Sequence, residues 1–180
     1  MTRYVAFVRA INVAGHAIVK MRDLKAAFAA AGCENVATYI QSGNVLFDAA
    51  AADIERLHSR IVAELGDSIG EPPTVMLRKL GDVARLVAAD PFAGVAERAR
   101  AKLYVAFLAE KPARKPAFPL RLPKERLEAI GMAGRDVLIV SLRKDNGFYG
   151  FPNNFIEKEL GVAATSRNWT TVTKIAKLAR

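Results

Sequence analysis

The chain has 180 residues, a length that suits one compact domain or two small lobes of about 90 residues each. Apolar residues make up 52% and charged residues 25%, a globular composition that excludes a disordered chain. Lys and Arg number 27 against 18 Asp and Glu, a net charge of +9, and no apolar run reaches the roughly 18 residues of a membrane helix. Tyr4 to Arg9 alternates aromatic, β-branched and mixed residues and predicts a strand; no secretory apolar region with a cleavage site is evident there. A loop from Ala10 to Lys20 contains Asn12, Gly15 and His16. Met21, Leu24, Ala27, Phe28 and Ala31 then recur at helical spacing until Gly32 stops the pattern. Val36 to Gln41 predicts a second strand, Ser42-Gly43 a two-residue turn, and Asn44 to Asp48 a third strand. Ile54, Leu57, Ile61 and Leu65 form the apolar stripe of a second helix ended by Gly66, and Thr74 to Lys79 predicts a fourth strand. This β-α-β-β-α-β order is that of the ferredoxin-like unit.

The second half reads the same way. Leu80, Val83, Leu86 and Val87 predict a joining helix closed by Asp90-Pro91, and Lys102 to Ala109 a strand. An extended segment carries Pro112, Pro116, Pro119 and Pro123, the last placed to open a short helix over Glu125 to Ile130. Asp136 to Arg143 predicts a strand, Asn146-Gly147 a hairpin turn, and Phe148 to Phe151 the returning strand. Asn153 to Leu160 predicts a helix ended by Gly161, Val162 to Ser166 a last strand, and Trp169 to Ala179 a terminal helix capped by Asn168. The expected fold class is α+β, a duplicated ferredoxin-like arrangement with a C-terminal helix. Its expected parts are a first unit over 1–79, a joining helix and loop over 80–101, and a second unit over 102–180.

Several stretches carry a family resemblance. They are Arg9-Ala10-Ile11-Asn12-Val13, Tyr39-Ile40-Gln41-Ser42-Gly43-Asn44-Val45, Pro91-Phe92, Asn153-Asn154, Ile156-Glu157-Lys158 and Thr165-Ser166-Arg167-Asn168-Trp169-Thr170-Thr171-Val172. Together they resemble the bacterial family called domain of unknown function 1697, over nearly the whole chain. The resemblance implies a duplicated ferredoxin-like fold and no established activity. The chain departs from the family at Ala10, where the family has glycine, and at Ala14-Gly15, where it commonly has a glycine pair.

Charge is unevenly spread. Residues 1–90 hold ten basic and ten acidic side chains, whereas residues 91–180 hold 17 and eight. A surface of that sign attracts polyanions such as nucleic acid or phosphorylated ligands. In a ferredoxin-like unit the loops after the first and second strands share one end of the sheet. That end would gather Arg9, Asn12, His16, Lys20, Gln41, Ser42 and Asn44, with the N-terminus of the helix near Met21, as a candidate phosphate or carboxylate site. The competing reading is a turn held by Asn and Ser side chains bonded to local backbone. By the same reasoning Lys111, Arg114, Lys115, Arg121, Arg143 and Lys144 would form a basic patch at one end of the second sheet.

Other chemistries are poorly supported. His16 and His58 are the only histidines, with no carboxylate at metal-ligand spacing, and His58 is expected to be exposed. Ser42 sits in a hairpin rather than a nucleophile elbow, and no phosphate-loop or dinucleotide fingerprint occurs. Cys33, the single cysteine, excludes an internal disulfide and suits a reducing, cytoplasmic setting. Cys33 is expected to be packed rather than reactive. No metal, cofactor, membrane contact or catalytic residue is therefore assigned. The leading expectation is a binding module for an anionic ligand or nucleic acid. The alternatives are an enzyme acting on an anionic metabolite, with Arg9 holding the anion and His16 as acid or base, and an oligomerisation or interaction protein.

Overall fold

A computed structural model of the chain describes residues 1–9, 11, 19–50, 52 and 54–179. These form an α+β protein with two antiparallel sheets and, among the described residues, five α-helices. The chain divides into two compact units, Met1–Asp82 and Val83–Leu178.

The first unit runs β1 (Thr2–Val8), α1 (Met21–Ala30), β2 (Glu34–Tyr39), β3 (Asn44–Ala49), α2 (Ile54–Ile69), β4 (Val75–Lys79). Its sheet has the order β2-β3-β1-β4. β1 is antiparallel to both β3 and β4, so β1 and β2 leave the sheet at the same end. Even-numbered side chains of β1 face the helices: Tyr4, Ala6 and Val8 join Leu24, Phe28, Ile61 and Leu65 in one core. Phe47 sits at its centre, stacked on Tyr4 at 5.6 Å and tilted against Phe28 at 5.5 Å. A fully buried phenylalanine contributes about 1.5–3 kcal/mol, so three such rings hold the sheet to its helices. The other sheet face is buried too, at Val5, Phe7, Leu46 and Met76.

α3 (Leu80–Ala88) leads into the second unit. There β5 (Ala101–Leu108), β6 (Leu120–Leu122), β7 (Leu127–Ala133) and β8 (Asp136–Leu142) precede α4 (Asn153–Leu160), β9 (Ala164–Asn168) and α5 (Trp169–Ala176). The sheet order is β6-β7-β8-β5-β9. With β6 set aside, β5, β7, β8 and β9 repeat the order and directions of β1 to β4.

The helix expected over Glu125 to Ile130 is not formed. Residues 123–125 make a single 3-10 turn, Arg126 takes φ 51, and the chain continues as β7. Leu127 and Ala129 are buried while Glu128 and Ile130 are half-buried, so a period of two prevailed over the helical spacing of Leu127 and Ile130. The link between β2 and β3 covers residues 40–43, since Tyr39 pairs with Asn44, so the two-residue turn is also corrected. The strand expected over Phe148 to Phe151 reduces to one bridge, Tyr149 with Arg143. The terminal helix ends at Ala176 and gives way to a 3-10 turn.

β9 lies at a sheet edge, where free N–H groups invite unwanted pairing. α4 closes that edge. Asn153 Oδ1 accepts from Ser166 N at 2.8 Å and Glu157 Oε1 from Ala164 N at 2.8 Å. Asn168 ends β9 and caps α5 by accepting from Thr170 N at 2.9 Å, as its position in the sequence predicts. Trp169 then meets Phe92 edge-on at 5.0 Å.

Gly150 is the most closely packed glycine of the second unit. A Cβ there would stand 2.5 Å from Glu125 O and 3.0 Å from Leu127 Cγ. Gly150→Ala is expected to destabilise the protein by about 2 kcal/mol or more in denaturant titration, whereas Gly134→Ala, with open space around it, reports only its positive φ. Equal small effects at both positions would contradict the close approach.

Candidate functional site

The end of β1 and the turn after β2 lie side by side. Val8 N donates to Gly43 O at 2.8 Å, and a Cβ on Gly43 would lie 3.0 Å from Val8 O and 3.5 Å from Ile11 Cβ. Gly43 also takes φ 71, so both geometry and space require glycine here. Arg9 follows β1 half-buried, its backbone N donating to Thr74 O at 2.9 Å. Gln41 is exposed and Ser42 half-buried. Asn12 and His16 lie outside the described residues, as do Ala10 and Ala14-Gly15.

Asn44 is fully buried and closes the loop. Its Nδ2 donates to Tyr39 O at 3.1 Å and to Ser42 Oγ at 2.8 Å. For this residue the turn-holding reading of the sequence is the one realised. Lys20 is exposed and occupies the N-cap of α1 without a side-chain cap; Asp23 in the first turn already sets negative charge at that helix end. Ile40, beside Gln41, is 52% exposed with φ 50. A β-branched residue in the left-handed region is strained, and such strain concentrates at functional loops.

A cleft of about 380 Å³ opens at the other end of this sheet, lined by Glu34, Ala49, Arg56 and Arg60 among others. Among the described residues, neither loop lines it. Cys33 is buried close by, and burial pushes its thiol up to about 12 against the opposing pull of Arg60. It therefore stays protonated and unreactive at neutral pH. His58 is half-buried rather than exposed, its Nε2 donating to Val75 O at 2.8 Å. Among the described residues no group of three or more His, Cys, Asp or Glu side chains is placed to hold a metal, and no helix is long and apolar enough to cross a membrane.

The six expected basic-patch residues do not leave the second sheet at one end. Ala101 pairs with Leu142, so Arg143 and Lys144 emerge beside the start of β5, while Lys111, Arg114 and Lys115 follow its far end at Leu108. The expectation took the Asn146-Gly147 hairpin for the link between the second and third strands of the repeat. That link is the Gly134-Arg135 turn between β7 and β8. Their partners also differ. Arg121 pairs with Glu128 at 3.0 Å, and Lys144 Nζ donates to Glu125 at 2.8 Å, holding that carboxyl below its usual range. Lys111, Arg114 and Lys115 are exposed and make no ion pair among the described residues.

Arg167 sits in β9, buried, with Nη1 donating to Thr165 Oγ1 at 2.7 Å and Ser166 O at 3.0 Å. Burial pushes its guanidinium down to about 10, still charged at neutral pH. Its neighbours in the terminal motif, Asn168 and Trp169, cap and anchor α5.

The model of a family described as a protein of unknown function (DUF1697) matches residues 1–138. The chain belongs to this family. The match covers both first-unit loops and ends before the terminal motif around Trp169. No curated protein matches the chain. Among solved structures, a conserved bacterial protein, SP0830, from Streptococcus pneumoniae is similar at 20% identity and a TM-score of 0.58, with 99% of each chain covered. At that identity the likeness is one of fold.

The sequence reading overlooked the surroundings of Tyr149. Lys102 Nζ stands 4.6 Å from the centre of its ring, and Phe151 meets Tyr104 edge-on at 6.0 Å. The available signal is the aromatic run after Asn146-Gly147, whose composition equally suits a strand.

Two changes separate the loop's fastening from its strain. Asn44→Ala is expected to destabilise the fold by about 1–3 kcal/mol by stranding the Tyr39 carbonyl. Ile40→Asn is expected to stabilise it by about 1 kcal/mol, because Asn tolerates positive φ. Equilibrium denaturation measures both; an Asn44→Ala chain as stable as the original, or a destabilised Ile40→Asn chain, would contradict this view of the loop.

Proposed function

We propose that this DUF1697 member is a cytoplasmic binding module for an anionic, phosphate-bearing ligand, with nucleic acid as the polyanion. The observation that carries the reading is the exposure of Lys111, Arg114 and Lys115, with no ion pair among the described residues, on a segment stiffened by Pro112 and Pro116. Charge distribution supports it: residues 1–82 hold nine basic and nine acidic side chains, residues 83–180 eighteen and nine. In this reading the second unit supplies the attraction. Arg9, Lys20, Gln41 and Ser42 form a smaller contact point in the first unit, and Asn44 shapes it from beneath. The reading also takes the chain as a duplicated ferredoxin-like fold whose second copy replaced its first helix by the proline-rich strand. The shared strand order of β1 to β4 and of β5, β7, β8 and β9 supports that history.

Fluorescence anisotropy of RNA and DNA oligonucleotides across a salt series tests the proposal. Log affinity is expected to fall linearly with log salt, and replacing Lys111, Arg114 and Lys115 together by Ala to lessen the slope by about 2–3. No measurable binding at low salt contradicts it.

A further inference from the structure

Two large apolar side chains stand in solvent within four residues of each other in the second unit: Phe148 is 71% exposed and Phe151 59%. Exposed rings this close together mark an interaction surface. They are not exposed through looseness of the chain. Ser141 Oγ donates to Gly150 O at 3.0 Å, Lys144 N to Phe148 O at 2.8 Å, and Phe148 N to Asn146 Oδ1 at 3.1 Å. The segment is pinned at both ends, and its rings are held out by it.

Positive charge lies beside the same segment: Lys102 Nζ stands over the ring of Tyr149, the residue after Phe148. Lys102 and Tyr104 share one face of β5, two residues apart, and Tyr149 and Phe151 lie against them. Arg143 pairs with Tyr149 in the backbone and fixes its own guanidinium by donating from Nε to Gly147 O at 2.9 Å. Flat apolar rings interleaved with fixed positive charge complement a strand whose bases are unpaired and whose phosphates are exposed. A duplex hides its base faces, and a simple polyanion has none.

We infer that the hairpin from Arg143 to Phe151, with Lys102, binds single-stranded nucleic acid by stacking bases on Phe148 and Phe151. This deepens the anion-binding reading and rests on it, but it uses a different surface from Lys111, Arg114 and Lys115.

The test compares an oligothymidylate of about a dozen nucleotides, a duplex of equal length and inorganic polyphosphate, each titrated into the full chain. The single strand is expected to bind more tightly than the duplex. Phe148→Ala and Phe151→Ala are each expected to weaken single-strand binding about tenfold or more while leaving polyphosphate affinity and the salt slope unchanged. Phe151→Leu keeps an apolar contact with Tyr104 but removes the flat ring, and is expected to behave as Phe151→Ala does. Polyphosphate binding without single-strand preference, and without response to the phenylalanine changes, would overturn this inference and leave anion binding standing. Binding of none of the three would overturn both. A dimer in solution that Phe148→Ala converts to monomer would assign the surface to self-association and overturn the inference as well.

Discussion

Between Leu108 and Leu127 the chain meets Pro112, Pro116, Pro119 and Pro123, and no helix can run through that spacing. The second unit must therefore cross from β5 to β7 by extended chain, although its four principal strands take the same order as those of the first. The face that α1 and α2 cover in the first unit has to be closed by other means. Phe118, Leu120 and Leu122 pack onto the core of Tyr104, Leu127, Ile139 and Phe155 from the crossing segment itself. An extended chain that buries some side chains on one side presents others to water, and Lys111, Arg114 and Lys115 are among these. The exposed positive charge thus follows from a crossing made by extended chain rather than by a helix.

The same constraint shapes the hairpin after β8. Residues 149–151 reach back to β5, where Tyr149 meets Lys102 and Phe151 meets Tyr104. Gly150 allows the close approach to Glu125 that seats the segment. Ion pairs around it, such as Lys144 with Glu125, are partly exposed and contribute little to stability. They orient charge rather than hold the fold. The first unit is built differently: two helices cover one sheet face, and its loops are fastened by Asn44 and by the Val8–Gly43 hydrogen bond.

The helices and strands of the first unit were legible in the sequence because each has one clear period, although α2 runs on through Gly66 to Ile69. Leu24, Ala27 and Phe28, then Leu57, Ile61 and Leu65, repeat only as helices do, and both stripes are buried. That β1 and β2 end on the same side of the sheet follows from strand order alone. The second unit misled at Leu127 to Ile130, where Leu-Glu-Ala-Ile satisfies both periods and only pairing with β8 decides. The basic patch was misplaced for a related reason: once that helix was assumed, the Asn146-Gly147 turn took the place of Gly134-Arg135. Asn44 shows a different limit. A buried asparagine that closes a turn and an exposed one that meets a ligand look the same in sequence, and burial separates them.

The central claim is that the second unit holds the anion. Mapping backbone amide shifts over the full chain during titration with inorganic polyphosphate tests it most directly. The account predicts the largest shifts at residues 109–115, with smaller ones elsewhere in the second unit. Shifts confined to residues 1–82, or none at low salt, would contradict it.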